Sequence, residues 1–398
     1  MPKKLLTLLV ALSVLFSLFQ PAAVLAAAAD ANADGTVDGL DYVIWLNNYN
    51  QTVSNGTTSG DFDANGFVDG LDYVLWLNSY MQPNQPTPVP SVINTPSPAR
   101  ESCLKGTGPL TDLSGIQTNR YDTRNKLLAP NVRIDAHSAS WTADWPVQDS
   151  FNYPVLLHGG PDICFSGGVI QGNYPDQISS DPNATWEYMH GTSAMKVSGE
   201  NSIIENIRID NYGDGIGFES NTRNFAIKGT YLSKIRDDCL ENDWLNSGLI
   251  EDSLFDGCYS AFSARTYSGQ NPPADGTNNI LTINNSLIRL QASWGVYKNR
   301  GLIPGHDGFF KWDSLGISPK ISLHNNIFRA DQLSNNVGLG IPSGKLIDCS
   351  KNVMVWLGSG NYPDPLPTAF NGQPCFTLTT DISVWDKAVT DWKSRHGY

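Results

Sequence analysis

The stretch Ile204-Glu-Asn-Ile-Arg-Ile209 returns as Ile227-Lys-Gly-Thr-Tyr-Leu232, Ile250-Glu-Asp-Ser-Leu-Phe255, Ile283-Asn-Asn-Ser-Leu-Ile288 and Leu323-His-Asn-Asn-Ile-Phe328. Successive starts are separated by 23, 23, 33 and 40 residues. Each unit sets an apolar residue, a polar turn and a second apolar run in order. A unit this small cannot bury its own apolar face, so units must stack, and the longer ones carry insertions that emerge as loops. The register therefore predicts an all-β body, a right-handed parallel β-helix of roughly seven to ten coils, with Ile204, Ile227, Ile250, Ile283 and Leu323 in one interior stack. A β-sandwich would not produce the 23-residue register. Val155-Leu-Leu157, Ile163-Cys-Phe165 and Val169-Ile170 fit earlier coils, and Asn284-Asn285 and Asn325-Asn326 suit turns because Asn tolerates left-handed backbone. The ends of a solenoid need cover. Asp381 can cap a helix whose Val384, Trp385, Ala388, Val389 and Trp392 share a face, predicted here as the C-terminal lid, and residues from about 101 to 150 are expected over the other end.

A second repeat lies ahead of the body. Residues 30–41 read DANADGTVDGLD and residues 61–72 read DFDANGFVDGLD, 31 residues apart. Side-chain oxygens fall at loop positions 1, 3, 5, 9 and 12: Asp30, Asn32, Asp34, Asp38 and Asp41, then Asp61, Asp63, Asn65, Asp69 and Asp72. Position 7, Thr36 or Phe67, offers a backbone carbonyl, and the Gly at position 6 makes the sharp turn. Hard oxygens in that register predict two Ca²⁺ sites. Each loop runs into a helix, with Val43, Leu46 and Tyr49, and Val74, Leu77 and Tyr80, at helical spacing. Loop–helix twice, with Asp at position 12, resembles a type I dockerin over residues 28–82. The resemblance implies a calcium-dependent tether to a cohesin-type scaffold or surface protein. Gly39-Leu40 and Gly70-Leu71 stand where many dockerins carry small hydroxyl residues.

The remaining organisation follows from composition. Lys3 and Lys4, the apolar run Leu5 to Phe19 and Val24-Leu25-Ala26 predict a signal peptide over 1–26, hence an extracellular protein with no membrane span after its removal. A dockerin-like module follows at 27–82, a Pro-rich linker at 83–100 and the β-helix at 101–398. The formal net charge is −13, and residues 27–99 hold eight Asp with no Glu, Lys or Arg. That balance argues against nucleic acid and anionic membrane as partners. The six Cys show no C-x-x-C and so no zinc pattern. Export permits disulfides, with Cys349 and Cys375 the first pair to test, and six free thiols the open alternative.

Chemistry is expected where aligned coils carry acids. Asp214 lies ten residues after Ile204 and Asp237 ten after Ile227, with Asp238 next and Glu241 and Asp243 nearby. Neighbouring strands are about 4.8 Å apart, so these carboxylates should meet, and close carboxylates divide into a proton holder and an ionised partner. Cleavage of a glycosidic bond needs that division. Asn211-Tyr-Gly-Asp214-Gly215 and, one coil on, Arg236-Asp237-Asp238-Cys239 resemble motifs of the polygalacturonase family of glycoside hydrolases, which are pectin-lyase-like parallel β-helices. The resemblance implies that Asp214, Asp237 and Asp238 hydrolyse a polysaccharide, with Asp238 as general acid, and that Lys298 matches the family's conserved cation. The chain departs from the family at Asp256-Gly-Cys, which has no His, and at Val296-Tyr297-Lys298. Arg265 and His306, on insertions, and Trp186 and Glu241 complete the candidate substrate-binding set. Two other readings stay open: a β-eliminating lyase using Lys298, Arg265 or His306 near a carboxylate-bound Ca²⁺, and a non-catalytic carbohydrate-binding module. Asp at a coil turn also serves simply to accept backbone hydrogen bonds.

Overall fold

A computed structural model describes residues 29–32, 37, 39–54, 56–80, 102–144, 152–174, 191–267, 269–293 and 305–398. The expected signal peptide and linker lie outside the described residues, as do Asp34, Thr36, Asp38, Trp186 and Lys298. The chain divides into two compact units, within Met1–Ser91 and Val92–Tyr398.

In the small unit, two helices, Gly39–Asn48 (α1) and Gly70–Tyr80 (α2), follow the two acidic loops. Ala29, Ala31, Trp45, Phe62, Val68 and Trp76 form its core. The rings of Tyr42, Trp45, Tyr73 and Trp76 pack together around that core, and the Trp45 indole N–H donates to the Asp69 carbonyl at 2.9 Å. Val43, Leu46 and Tyr49, the regularly spaced apolar residues, instead face solvent, as does Val74. A core this small is filled by the large aromatic rings, which leaves the aliphatic stripe outside.

The large unit is built from parallel pairings in three ladders. The first stacks Cys164–Ser166, Ile203–Glu205, Phe225–Lys228, Gly248–Glu251, Ile280–Asn284, Lys320–His324 and Leu346–Ser350. The second stacks Val169–Asn173, Arg208–Asp210, the first halves of Tyr231–Glu241 and Leu254–Ala264, then Leu287–Leu290, Ile327–Ala330, Asn352–Trp356 and Phe376–Thr379. The third stacks Tyr121–Asp122, Val155–His158, Ser193–Ser198, Asp214–Phe218, the second halves of the two long strands, and Phe310–Trp312. Long strands that serve two ladders carry the sheet around a corner, so it curls nearly closed as a parallel β-helix.

The interior follows the repeat register. Ile204 pairs with Ile227, Ile227 with Ile250, Ile250 with Ile283 and Ile283 with Leu323, and all five are fully buried. A second stack runs Ile170, Ile209, Leu232, Phe255, Ile288, Phe328 and Met354. Between these stacks the chain turns on one left-handed residue per coil: Asn206, Gly229, Asp252, Asn285, Asn325 and Lys351 all have φ between 45° and 57°. Beside that turn a polar ladder satisfies the neighbouring coil's backbone. Amides of Thr230, Ser253, Ser286 and Asn326 donate to side chains of Ser253, Ser286, Asn326 and Asn352 in turn. Buried amides without partners would be costly, and this ladder removes the cost.

Three disulfides join Cys103 to Cys164, Cys239 to Cys258 and Cys349 to Cys375, and no described Cys is free. The C-terminal helix, Ile382–His396 (α3), is capped by Asp381, whose carboxylate accepts from the Ser383 amide at 2.9 Å. It is a clamp rather than an end lid. The Trp392 indole donates to the Asp252 carbonyl at 3.0 Å, His396 and Arg395 reach the Asp252 carboxylate, and Arg329 lies over Trp385. Its apolar face therefore runs along the outside of several coils, where Tyr231 packs edge-on against Trp392. The segment after residue 101 also differs from a simple cover: Leu110–Gln117 and Arg133–Asp144 pair in parallel, with one register shift between Asp112 and Ser114, and Arg133–Asp144 pairs on into the first two ladders.

Truncating an interior rung leaves a cavity that rigid neighbours on both sides cannot fill. Ile250→Ala should cost about 2–5 kcal/mol and lower the melting midpoint clearly, while Ile116→Ala on the exposed edge should leave it almost unchanged. Equal midpoints for the two variants would refute the stacked register.

Candidate functional site

Two kinds of site emerge. In the small unit, the carboxylate at loop position 12 closes each loop in the same way. Asp41 Oδ1 accepts from the Ala31 and Asn32 amides at 2.7 and 3.1 Å, and Asp72 Oδ1 accepts from the Phe62 and Asp63 amides at 2.7 and 3.1 Å. Asp41, Asp61 and Asp72 are buried. Ligand oxygens of Asp61, Asp63 and Asp72 lie within 4.8 Å of one another. Gly66 has φ 86°, the turn that only glycine takes without strain. Hard oxygens gathered by a tight loop fit Ca²⁺. Asn65 donates its amide to both Asp61 and Asp63, and the Phe67 amide donates to Asn65, so the loop is already wound around the acids. Asp69 helps by accepting the Leu71 amide at 2.7 Å. Of the first loop's proposed ligands, Asp30, Asn32 and Asp41 are described; Asp34, Thr36 and Asp38 lie outside the described residues.

In the β-helix, Asp214, Asp237 and Asp238 converge where the second ladder turns into the third. Their carboxylate oxygens lie within 4.8 Å of one another, and all three residues are buried. Asp214 opens the strand Asp214–Phe218, and its Oδ1 accepts the Asp238 amide at 3.2 Å. A register shift between Ile235 and Asp238 in the strand Tyr231–Glu241 brings both adjacent acids to the same corner. Lys311 answers them, with Nζ 2.8 Å from Asp238 and 3.9 Å from Asp237. Asp238 Oδ1 has no hydrogen-bond partner among the described residues.

A charged ladder runs beside this cluster. In register stand Lys196, Gly217, Glu241, Ser263 and Lys311. Lys196 crosses Gly217 to pair with Glu241 two coils away. A Cβ on Gly217 would come within 2.6 Å of Lys196 Cδ, so glycine is what lets the lysine pass. Small residues thus alternate with long charged ones.

Burial drives the electrostatics. Burial first, and then Glu241, Asp237 and Asp238, push the Asp214 carboxyl well above the usual range, against the pull of Lys196. Burial also raises Asp237 well above that range; Lys311 opposes it and Asp238 adds to it. Asp243 is pushed up to about 8, by burial and then by Glu241 and Asp238. For Lys311, burial alone would lower the ammonium, but Asp237 and Asp238 outweigh it and hold it well above its ordinary value. The site can therefore hold protons on carboxyls and positive charge on a lysine at neutral pH.

The other expected residues are placed as follows. Glu241 is engaged by Lys196. Arg265 is exposed just beyond the strand Leu254–Ala264, and its charge acts on Lys311. His306 is buried, with Nδ1 2.8 Å from the Asp307 carbonyl, and burial lowers its pKa. Trp186 and Lys298 lie outside the described residues. Sequence reasoning did not assign Lys311 and Lys196 their roles. Their signal is the ladder register, which is hidden because an insertion separates Ser263 from Lys311.

The raised carboxyls set a pH dependence. A carboxyl with a folded pKa above its unfolded value takes up protons on folding, so the folded state is favoured below about pH 4 and that advantage is lost as pH rises through the folded value. For Asp243 the loss runs from about pH 4 to about 8. Asp243→Asn should raise the melting midpoint by a few degrees at pH 9, roughly the effect of 1–2 kcal/mol, and change it little at pH 4. A midpoint lowered equally at both pH values would show that the carboxyl is ionised and needed.

No helix among the described residues is long and apolar enough to cross a membrane. No curated protein matches the chain. No solved structure matches it either. Residues 27–82, the small unit with its two acidic loops, match the family model described as the dockerin type I domain.

Proposed function

We propose that this is a secreted carbohydrate-active protein whose β-helix hydrolyses O-glycosidic bonds of a polysaccharide by Asp-based acid–base catalysis. In this reading residues 1–26 are an export signal, 27–82 a calcium-dependent dockerin module, 83–100 a spacer and 101–398 the catalytic body. The observation that carries the reading is the convergence of Asp214, Asp237 and Asp238 from adjacent coils. Buried acids that raise one another's pKa supply a protonated carboxyl and an ionised one together, the pair that glycoside cleavage uses. Asp238 carries the Lys311 ion pair, which favours Asp214 or Asp237 as the proton donor to the glycosidic oxygen. The remaining carboxylates would orient and deprotonate the attacking water. The lyase alternative needs an unprotonated base. Of its candidate bases Lys298, Arg265 and His306, Arg265 stays charged, Lys298 lies outside the described residues, and His306, buried and with its pKa lowered by that burial, is the one that reading would use.

The dockerin match supports calcium binding and a cohesin-type partner. Asp61, Asp63 and Asp72 would hold an ion in the second loop, with Asn65, Asp69 and the Phe67 carbonyl completing the set, and the first loop would hold another. The ion's contribution there is structural: it neutralises clustered acids and favours the folded loops. Leu40, Val43 and Leu46 on α1, and Leu71, Val74 and Leu75 on α2, give both helices an exposed apolar face suited to a protein partner.

Reducing-end release from a panel of polysaccharides tests the catalytic reading. Asp237→Asn should lower turnover by about 10²–10⁴-fold with the melting midpoint kept. Asp238→Asn should lower turnover as much and also lower the midpoint, because it leaves buried Lys311 without its ion-pair partner. Turnover should fall as pH rises through the raised carboxyl values. Unchanged turnover with a lowered midpoint would make the acids structural, and unsaturated products absorbing in the ultraviolet would make the body a lyase. Calcium removal by a chelator should reduce helix signal and abolish scaffold binding, and Asp72→Ala should do so for one loop. Binding stoichiometry well under two ions, measured by calorimetry, would count against paired sites.

A further inference from the structure

A pocket lies under the end of the C-terminal clamp. It encloses about 350 Å³ and is lined by His137, Asn206, Arg208, Gly229, His396 and Tyr398, among others. That volume is in the range of small-ligand sites. Arg208 distinguishes it. The guanidinium lies 5.5 Å over the Tyr231 ring and 6.0 Å over the Tyr398 ring, and no hydrogen bond or acidic partner accompanies it among the described residues. The acids nearby are taken: Asp135 by His137 at 2.8 Å, and Asp252 by His396 and Arg395 at 3.2 and 3.4 Å. Lys393, 5.1 Å over Tyr231, adds another positive charge. In a chain of net charge −13, this pocket holds a cation fixed by two rings with its donor fork uncommitted.

We propose that this pocket binds the carboxylate of an acidic sugar residue, as an auxiliary subsite that holds a uronate-bearing chain on the clamp side of the β-helix. The sugar class rests on the polysaccharide reading above; the anion preference rests on Arg208 alone. A guanidinium beside two aromatic rings, with its donors uncommitted, offers parallel N–H groups that match a carboxylate bidentately. Asn206 and the Tyr398 phenol line the same space and can donate to sugar hydroxyls. Lysine would carry the charge without the fork.

Calorimetric titration of the full chain with an oligouronate, its methyl ester and a neutral cello-oligosaccharide tests this without any turnover. The oligouronate should bind, more weakly as salt is added, and the ester and neutral oligomer should not. Arg208→Gln should weaken binding about 10- to 100-fold, and Arg208→Lys by an intermediate factor. Asp237→Asn should leave the Arg208-dependent part of the binding intact, so that failure of the catalytic reading and failure of this one are told apart. Equal affinity for the methyl ester, or wild-type affinity in a folded Arg208→Gln variant, would overturn the proposal. Should Arg208→Gln lower the melting midpoint, Arg208→Lys, which keeps the charge over both rings, carries the test: wild-type affinity there would overturn the bidentate contact.

Discussion

Parallel pairing between successive coils governs the large unit. Each strand turns alternate amides and carbonyls toward the coils on both sides, which sets the coils about 4.8 Å apart and forbids sliding by a residue. Once that register holds, Ile204, Ile227, Ile250, Ile283 and Leu323 must stack, and the corner beside them must turn on a left-handed residue at every level. The Ser and Asn ladder at that corner follows from the same constraint, because amides facing inward at a turn have no strand partner.

The acidic cluster is a product of stacking rather than of a loop. Ile216 pairs with Leu240 and Gly217 with Glu241, a register that sets Asp214 level with Asp238 rather than with Asp237 as the ten-residue spacing predicts. Pairing the coils brings the three charges together, and burial makes that charge costly. The fold offsets the cost with lysines drawn from distant coils. Lys196 reaches its acid because Gly217 leaves room, and Lys311 arrives beside Asp238 from 73 residues away in sequence. What results is a site in which protonated carboxyls and ammonium groups coexist, a composition that simple coil turns do not require.

The dockerin-type unit obeys a different constraint. Its core is a few aromatic and small aliphatic side chains, and in each loop one carboxylate, Asp41 or Asp72, bonds back to the start of the loop. Acids at that density repel one another, a cost that a bound hard cation would offset. Leu40, Val43 and Leu46 on α1 and Leu71, Val74 and Leu75 on α2 stay exposed.

The three disulfides were not legible in the sequence, which left six free thiols open. The β-helix register, the left-handed Asn285 and Asn325, the Asp381 cap and the acidic loops were legible there. They depend on local spacing: a period of 23 residues, a loop of twelve, a turn residue with its own φ preference. The tertiary structure decided the rest. It made the C-terminal helix a flank clamp, because its Trp face matches the side of the coils at Tyr231 and Asp252. It buried His306 and turned it toward the Asp307 carbonyl, and it chose Lys311 as the partner of the acids. It also left Arg208 between two rings without an acid. The physical reason for the clamp and for the Lys311 pairing is that Coulomb and packing contacts form across coils. Insertions of varying length separate their partners along the chain, so no local pattern records which charge will meet which.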